Sequence, residues 1–309
     1  MKPDFSIVIP AFNEEAGIPV LAEAIERFVA TSDIHLQFVF VDDGSADETF
    51  NLLSRLFFEK ADVKVVKLSR NFGAHAAIRA GVYHSDADCV MLYSSDMPEP
   101  IEDITRFYEE LQKGFEIVYS ERVGYKGSLG SRMFGKMVTR YIEKNYPEDG
   151  LIGVAFGNKV KQELNDDIET NSSIFFQIFQ LGFSRKAIPV AYNEREQGES
   201  KWTLSKKVTL FVDSFVMFSY TPIRAISGIG LIMALLGFIW ALVIVICKAF
   251  NLAVFAAGWP TMMSILLIGF GITNISLGII AEYLVRTLDA ARNRRTFITD
   301  EIVETVSRR

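Results

Sequence analysis

Cysteine, histidine and, over long stretches, charge are what this sequence has least of. It holds two cysteines and three histidines in 309 residues. Cys89 lies in an apolar run and Cys247 in a charge-poor one. Neither has another cysteine or a histidine at metal-ligand spacing, so neither a zinc site nor a disulfide framework is expected. No Gly-x-Gly-x-x-Gly follows the first apolar run and no Gly-Lys-Ser/Thr occurs, which removes the dinucleotide and P-loop readings. The first ten residues offer one lysine and an apolar run too short for a signal-peptide core, so the N-terminal part is expected in the cytoplasm. His35, His75 and His84 read as structural or surface residues, with a ligand contact as the alternative for His75, in the helix after Asn71-Phe72-Gly73.

Charge is absent where it has most consequence. Up to Arg224, 58 of 224 residues are charged, ordinary for a globular domain, whereas only 12 of the last 85 are, too few for a soluble surface. Ala225 to Cys247 is a run of 23 uncharged residues and Asn251 to Ala281 a run of 31. About 20 apolar residues cross a bilayer core. The pattern therefore predicts two transmembrane helices, near 225–247 and 259–281, with Gly258-Trp259-Pro260 as the break before the second. The alternative is a buried helical hairpin. Neither span has an ionisable residue before Glu282, which argues against a channel or transporter. Lys201, Lys206, Lys207 and Arg224 precede the first span and Arg286, Arg292, Arg294 and Arg295 follow the second. The connector holds only Lys248, so both termini are placed inside an inner (plasma) membrane. Leu204, Val208, Phe211, Val212, Phe215 and Phe218 recur at helical spacing and read as an interfacial helix, with a core helix as the alternative. Ser264, Gly271 and Gly278 recur every seven residues and suggest a homo-oligomer contact. The expected domains are 1–203 cytoplasmic, 204–222 interfacial, 223–285 hairpin and 286–309 C-terminal. Thr296 to Arg309 reads equally as a tail or a packed strand.

The cytoplasmic part alternates β-branched runs with helical patterns. Phe5 to Ile9, Phe38 to Val41, Val63 to Leu68, Cys89 to Tyr93 and Ile117 to Tyr119 are expected strands. Ile18 to Phe28, Thr49 to Phe58, Ala74 to Tyr83 and Ile101 to Leu111 are expected helices. This is the α/β pattern of a mostly parallel sheet flanked by helices, in which ligands bind at the carboxyl ends of the strands. Polar clusters follow four of the strands: Asn13-Glu14-Glu15, Asp42-Asp43-Gly44-Ser45, Ser69-Arg70-Asn71-Phe72-Gly73 and Ser94-Ser95-Asp96. Such an acidic pocket suits a base, a ribose and a metal-bound pyrophosphate. Asp47 reads as a cap.

Ser6 to Glu15, Val41 to Thr49 and Arg70-Asn71-Phe72-Gly73 resemble the opening motifs of family 2 inverting glycosyltransferases with the GT-A fold. Arg195, Gly198, Ser200, Lys201 and Trp202, then Pro222-Ile223-Arg224 and two spans, resemble the branch that glycosylates polyprenyl phosphates in bacterial cell-envelope synthesis, lipopolysaccharide included. The resemblance covers nearly the whole chain. It implies that Pro10, Ala11, Asn13, Glu15, Asp42, Asp43, Arg70, Ser94, Ser95 and Ser200 bind a nucleotide-sugar. Asp96, Arg122, Arg132, Arg195 and Lys201 take the catalytic positions, the basic ones near the phosphates. A Mg²⁺ or Mn²⁺ ion is implied on Asp96, with Glu99 as a further ligand. The implied partners are nucleotide-sugar, polyprenyl (undecaprenyl) phosphate and the bilayer, with no nucleic acid. The charge distribution agrees: residues 1–121 hold 10 basic and 22 acidic residues, 122–224 hold 15 and 11.

Two departures bear on activity. Where the family carries Asp-x-Asp and then Gln, this chain has Ser94, Ser95, Asp96, Met97 and Pro98. Where the branch carries a Gly-Asp-Phe-Arg-like stretch, it reads Leu151 to Gly157 without acid or Arg. They motivate a rival reading, a non-catalytic relative that binds nucleotide-sugar or lipid phosphate as a scaffold. A processive synthase is disfavoured by the absence of Gln-x-x-Arg-Trp and by having only two spans.

Overall fold

A computed structural model of the chain describes residues 2–97, 100–123, 135–136, 138–140, 144, 146–147, 151, 153–166, 173–191, 232, 239, 246, 249–250, 258–291 and 295–307. The chain divides into two compact units, Met1–Phe215 with Arg294–Arg309, and Val216–Asn293.

In the first unit the order is β1 (Phe5–Ala11), α1 (Ile18–Thr31), β2 (Leu36–Asp42), α2 (Thr49–Leu53), β3 (Ala61–Leu68), α3 (Ala74–His84), β4 (Cys89–Leu92) and α4 (Asp103–Gln112). Then come β5 (Ile117–Val123), β6 (Val154–Phe156), α5 (Asn158–Asp166), α6 (Ile174–Gln180), β7 (Arg185–Ala191) and, after the second unit, β8 (Thr299–Thr305). The strands form one sheet in the order β7-β5-β6-β4-β1-β2-β3-β8. Its centre is parallel, with Ala11 of β1 opposite Asp42 of β2 and Val8 opposite Leu92 of β4. Burial on both faces is why these strands read as unbroken apolar runs. Phe5, Ile7 and Ile9 pack with Leu21 and Ile25 of α1 and Phe107 of α4, while Val8, Val39 and Val41 pack with Ala77 and Ala80 of α3 and Ile178 of α6. A Cβ on Gly81 would lie 2.2 Å from Val8 Cγ1, so glycine lets α3 press onto β1 and β2.

The sheet is mixed with most pairings parallel: four are parallel, and β3–β8, β4–β6 and β5–β6 are antiparallel. The antiparallel pairings come from β6 and β8; β6 and β7 are outside the expected set, and β8 falls in the segment read equally as a tail or a packed strand. The expected helix from Thr49 to Phe58 stops at Leu53. Ser54 donates its hydroxyl to Phe50 O at 2.8 Å, and Arg55 and Leu56 turn back three residues to Leu52 and Leu53. The C-terminal segment is a strand. β8 is fixed along β3 by Lys64–Glu304 (3.1 Å), by the Ser307 amide donating to Asp62 (2.8 Å) and by His84 against Thr299 (3.1 Å).

In the second unit α7 runs Trp259–Ala291, ten residues beyond the expected end of the second span. Met262, Leu266, Phe270, Ile275, Leu277 and Ile280 are exposed on it. Among the described residues no helix is long and apolar enough to cross a membrane. The interfacial segment 204–222 and most of the first span lie outside the described residues.

Candidate functional site

The carboxyl ends of β4, β1, β2 and β3 lie side by side along one edge of the sheet, since these four strands are parallel neighbours. The loops leaving β1 and β2 are latched to each other. Asn13, at φ 52, donates its amide to Ser45 Oγ (3.0 Å) and accepts the Ala46 amide on Oδ1 (2.9 Å). Glu14 donates its amide to Thr49 Oγ1 (2.8 Å), Glu15 donates to Asp47 Oδ2 (3.3 Å), and Glu15 Oε2 accepts the Glu48 amide (3.2 Å). Asp47 also accepts the Thr49 amide (3.1 Å) at the foot of α2, the cap-like role read from sequence. Ala11 O accepts the Asp43 amide at 2.9 Å.

The β2 and β3 ends are joined as tightly. Asp43 accepts the Phe72 amide at 2.7 Å and the Gly73 amide at 2.9 Å. Burial pushes its carboxyl above the ordinary Asp value even against those two amides. Gly44 has φ +67, and a Cβ there would fall 2.5 Å from Arg70 C, so only glycine fits where the two loops meet. Arg70 is exposed and stacks over Phe72, 4.1 Å from the ring centre. Asp42 is fully buried. Its Oδ1 accepts the Ser45 amide at 3.2 Å, but Oδ2 has no partner among the described residues. An ionised carboxylate oxygen is an acceptor only, and leaving it unpaired costs about 1–3 kcal/mol, so this position suits an N–H or O–H of a bound ligand.

At the end of β4 the chain turns, with the Met97 amide donating to Ser94 O at 3.1 Å and Met97 at φ 45. Ser94 donates its hydroxyl to Asp96 Oδ1, and Asp96 is exposed. Two strands along, β5 runs parallel to β4 because β6 is antiparallel to both. Arg122, half-buried near the end of β5, therefore stands on the same edge of the sheet. Near it the Tyr146 phenol packs against Phe176 and Phe179, with ring centres at 4.8 and 5.5 Å, and burial raises it well above the usual phenol range.

Buried acceptors at strand ends, loops joined amide to side chain and a basic residue on the same edge are the chemistry that suits a phosphorylated ligand. The profile described as Glycosyl transferase family 2 matches residues 6–188. The chain belongs to that family. It is 31% identical over 309 residues to the undecaprenyl-phosphate 4-deoxy-4-formamido-L-arabinose transferase of Edwardsiella ictaluri (strain 93-146), covering 96% of this chain and 94% of that one. It is 30% identical over 306 residues to the enzyme of the same name from Klebsiella pneumoniae (strain 342), covering 96% and 93%. Glucosyl-3-phosphoglycerate synthase from Mycobacterium tuberculosis, crystallised with phosphoglyceric acid, shares the fold at TM-score 0.51 and 16% identity, over 70% of this chain and 80% of that one.

In this glycosyltransferase the structure brings together Pro10, Ala11, Asn13, Glu15, Asp42, Asp43 and Arg70 at three adjacent strand ends. Ser94, Ser95 and Asp96 stand at the fourth and Arg122 on the same edge. Glu99, Arg132, Arg195, Ser200 and Lys201 lie outside the described residues. Asn13, Glu15 and Asp43 hold loops, and Asp43 does so with both carboxylate oxygens. The stretch around Val154, which lacks the branch's acid and Arg, is β6, a fully buried strand between β4 and β5. Sequence reasoning placed Ser45 and Thr49 in the second motif without giving them a role; they are the hydroxyl acceptors of the latch, for which Ser and Thr in a turn are the available signal.

Proposed function

We propose that this glycosyltransferase moves a sugar from a nucleotide-sugar to the phosphate of a polyprenyl lipid, undecaprenyl phosphate in a bacterial setting, inverting the anomeric carbon. The observation that carries the donor half is the buried Asp42 Oδ2 at the latched strand-end loops, which has no partner among the described residues. The acceptor half is supported by the undecaprenyl-phosphate transferases that the chain resembles from end to end.

A phosphate monoester with a second pKa near ~6 is largely dianionic at neutral pH, so its oxygen needs no general base. That oxygen attacks the anomeric carbon in line, the carbon–oxygen bond to the nucleotide breaks, and the nucleoside diphosphate leaves with the electron pair. Asp42 would take an N–H or O–H of the nucleotide. Arg122, with Arg132, Arg195 and Lys201, would meet phosphate oxygens.

A divalent ion fits narrowly. Among the described residues no three His, Cys, Asp or Glu side chains gather. Mg²⁺, however, is commonly held by one or two carboxylates with substrate phosphates and water completing its shell. Asp96 would supply one carboxylate and Glu99 a second, and the ion would stabilise charge on the departing diphosphate. Ser94 sets the direction of Asp96 by its hydrogen bond.

We place the enzyme at the inner membrane with both termini cytoplasmic. Support comes from the uncharged run of α7 up to Ala281, 23 residues or about 34 Å of helix, and from the basic residues beyond it. The helix expected at 204–222 would lie on the bilayer, and the stripe Ser264, Gly271 and Gly278 would serve self-association. The test incubates membranes holding the full chain with undecaprenyl phosphate and a panel of nucleotide-sugars, with and without Mg²⁺ or Mn²⁺. One donor should yield a lipid-linked sugar; no glycolipid from any donor would overturn the proposal.

A further inference from the structure

His75 holds a polar group that neither the latch nor the proposed chemistry uses. It is the second residue of α3, two beyond Gly73, whose amide Asp43 holds. Both ring nitrogens are closed to solvent and neither has a hydrogen-bond partner among the described residues, although part of the residue stays exposed. The ring meets Phe175 of α6 edge-on at 5.9 Å between centres. Arg79, one turn further along α3, donates to Gln177 of α6 at 2.6 Å, and both are buried. Burial, reinforced by the Arg79 charge, lowers the imidazole to about 4. At neutral pH the ring is therefore uncharged, with one N–H donor and one lone pair. Cα–Cβ bonds of a helix lean toward its N-terminus, here toward Gly73 and the strand-end loops.

We infer that His75 is a specificity-determining residue of the donor site, hydrogen-bonding hydroxyl groups of the bound nucleotide-sugar. The inference rests on the donor reading above. Phosphate oxygens only accept, so they would satisfy the ring N–H and leave its lone pair unpaired, and they are better matched by a cation than by a ring held neutral. Neighbouring hydroxyls both donate and accept. They occur on the ribose and on the transferred sugar, and these are the two sources to separate.

The full-length wild type, His75→Phe and His75→Gln are titrated calorimetrically with UDP, GDP, UDP-glucose, UDP-N-acetylglucosamine and GDP-mannose, and their melting temperatures are measured without ligand. His75→Phe should bind the nucleotide-sugar that the wild type prefers about tenfold more weakly or worse. Its unliganded melting temperature should be unchanged or raised, because an unpaired buried polar group has been removed, and His75→Gln should recover part of the affinity. Loss confined to the sugar-bearing ligand assigns His75 to the transferred sugar. Equal loss on the parent diphosphate assigns it to the ribose. Wild-type affinity of His75→Phe for every ligand overturns the inference while leaving the donor reading intact. A melting temperature lowered in Phe and restored in Gln also overturns it, because the ring's partner would then lie within the protein. A wild type that binds none of the five ligands removes the donor reading and the inference together.

Discussion

The two ends of the candidate site use the same residue types for different work. At the β1, β2 and β3 ends the acids hold backbone: Asp43 accepts two amides, Asp47 two, and Glu15 one, and Gly44 lets the loops touch. At the β4 end the acid is exposed, Asp96 is met by a hydroxyl from Ser94, and the Met97 amide closes the turn on Ser94 O. Motif acids of one letter are thus scaffold in one place and turned to solvent in another. The difference is set by whether neighbouring loops present amides.

Breaking the latched end should have the largest effect. Gly44→Ala brings a Cβ within 2.5 Å of the Arg70 backbone at φ +67, and about 3 kcal/mol or more should be lost in denaturant unfolding, with nucleotide binding. An unchanged midpoint would mean the loops can part freely. Next comes His75. Its folded pKa, about 4, lies below the unfolded value of 6.5, so the unfolded chain binds the extra proton between those values. Its contribution to stability is complete above pH 6.5 and lost as pH falls toward 4, about 3 kcal/mol in all. His75→Phe should flatten that part of the stability profile; an identical acid limb in wild type and variant would exclude His75 as its source. Asp43→Ala orphans two amides and should lose about 2 kcal/mol, with Asp43→Asn losing less because one acceptor oxygen remains. Equal losses in urea melts would separate the amides from the effect.

The exposed end should respond in activity more than in stability. Ser94→Ala should lower turnover a few-fold, roughly the effect of one hydrogen bond, with an unchanged melting point. Ser94→Asp adds a carboxylate beside Asp96 and should reduce the Mn²⁺ concentration for half-maximal rate by about tenfold. Indifference of both variants to metal would place the diphosphate's charge on Arg and Lys instead.

Much of the site was legible because its residues follow strands in sequence. Asn13, Asp42, Asp43 and Arg70 each sit within a few residues of a β-branched run, and parallel strands place successive carboxyl ends on one edge. What those residues do was not legible. Asp42 and Asp43 are neighbours, yet among the described residues one leaves an oxygen without a partner and the other closes both on the Phe72 and Gly73 amides of the β3 loop. The strands β6 and β7 escaped detection and β8 stayed one of two readings, for different reasons. Val154–Phe156 is too short to show a period, Arg185–Ala191 opens on two adjacent charges and carries a proline, and Thr299–Thr305 is a polar edge strand whose partner is more than two hundred residues away.

By itself the sequence determined the α/β core, the family motifs and the separation of a charge-poor segment from a charged domain. Each of these depends on local composition or on short-range order along the chain. Only the tertiary structure decided that the last strand returns to the first unit's sheet, that β6 inserts between β4 and β5, and that the His75 nitrogens are left without partners among the described residues. Pairing across long loops and the burial of single polar atoms depend on which distant segments meet. No local pattern encodes that.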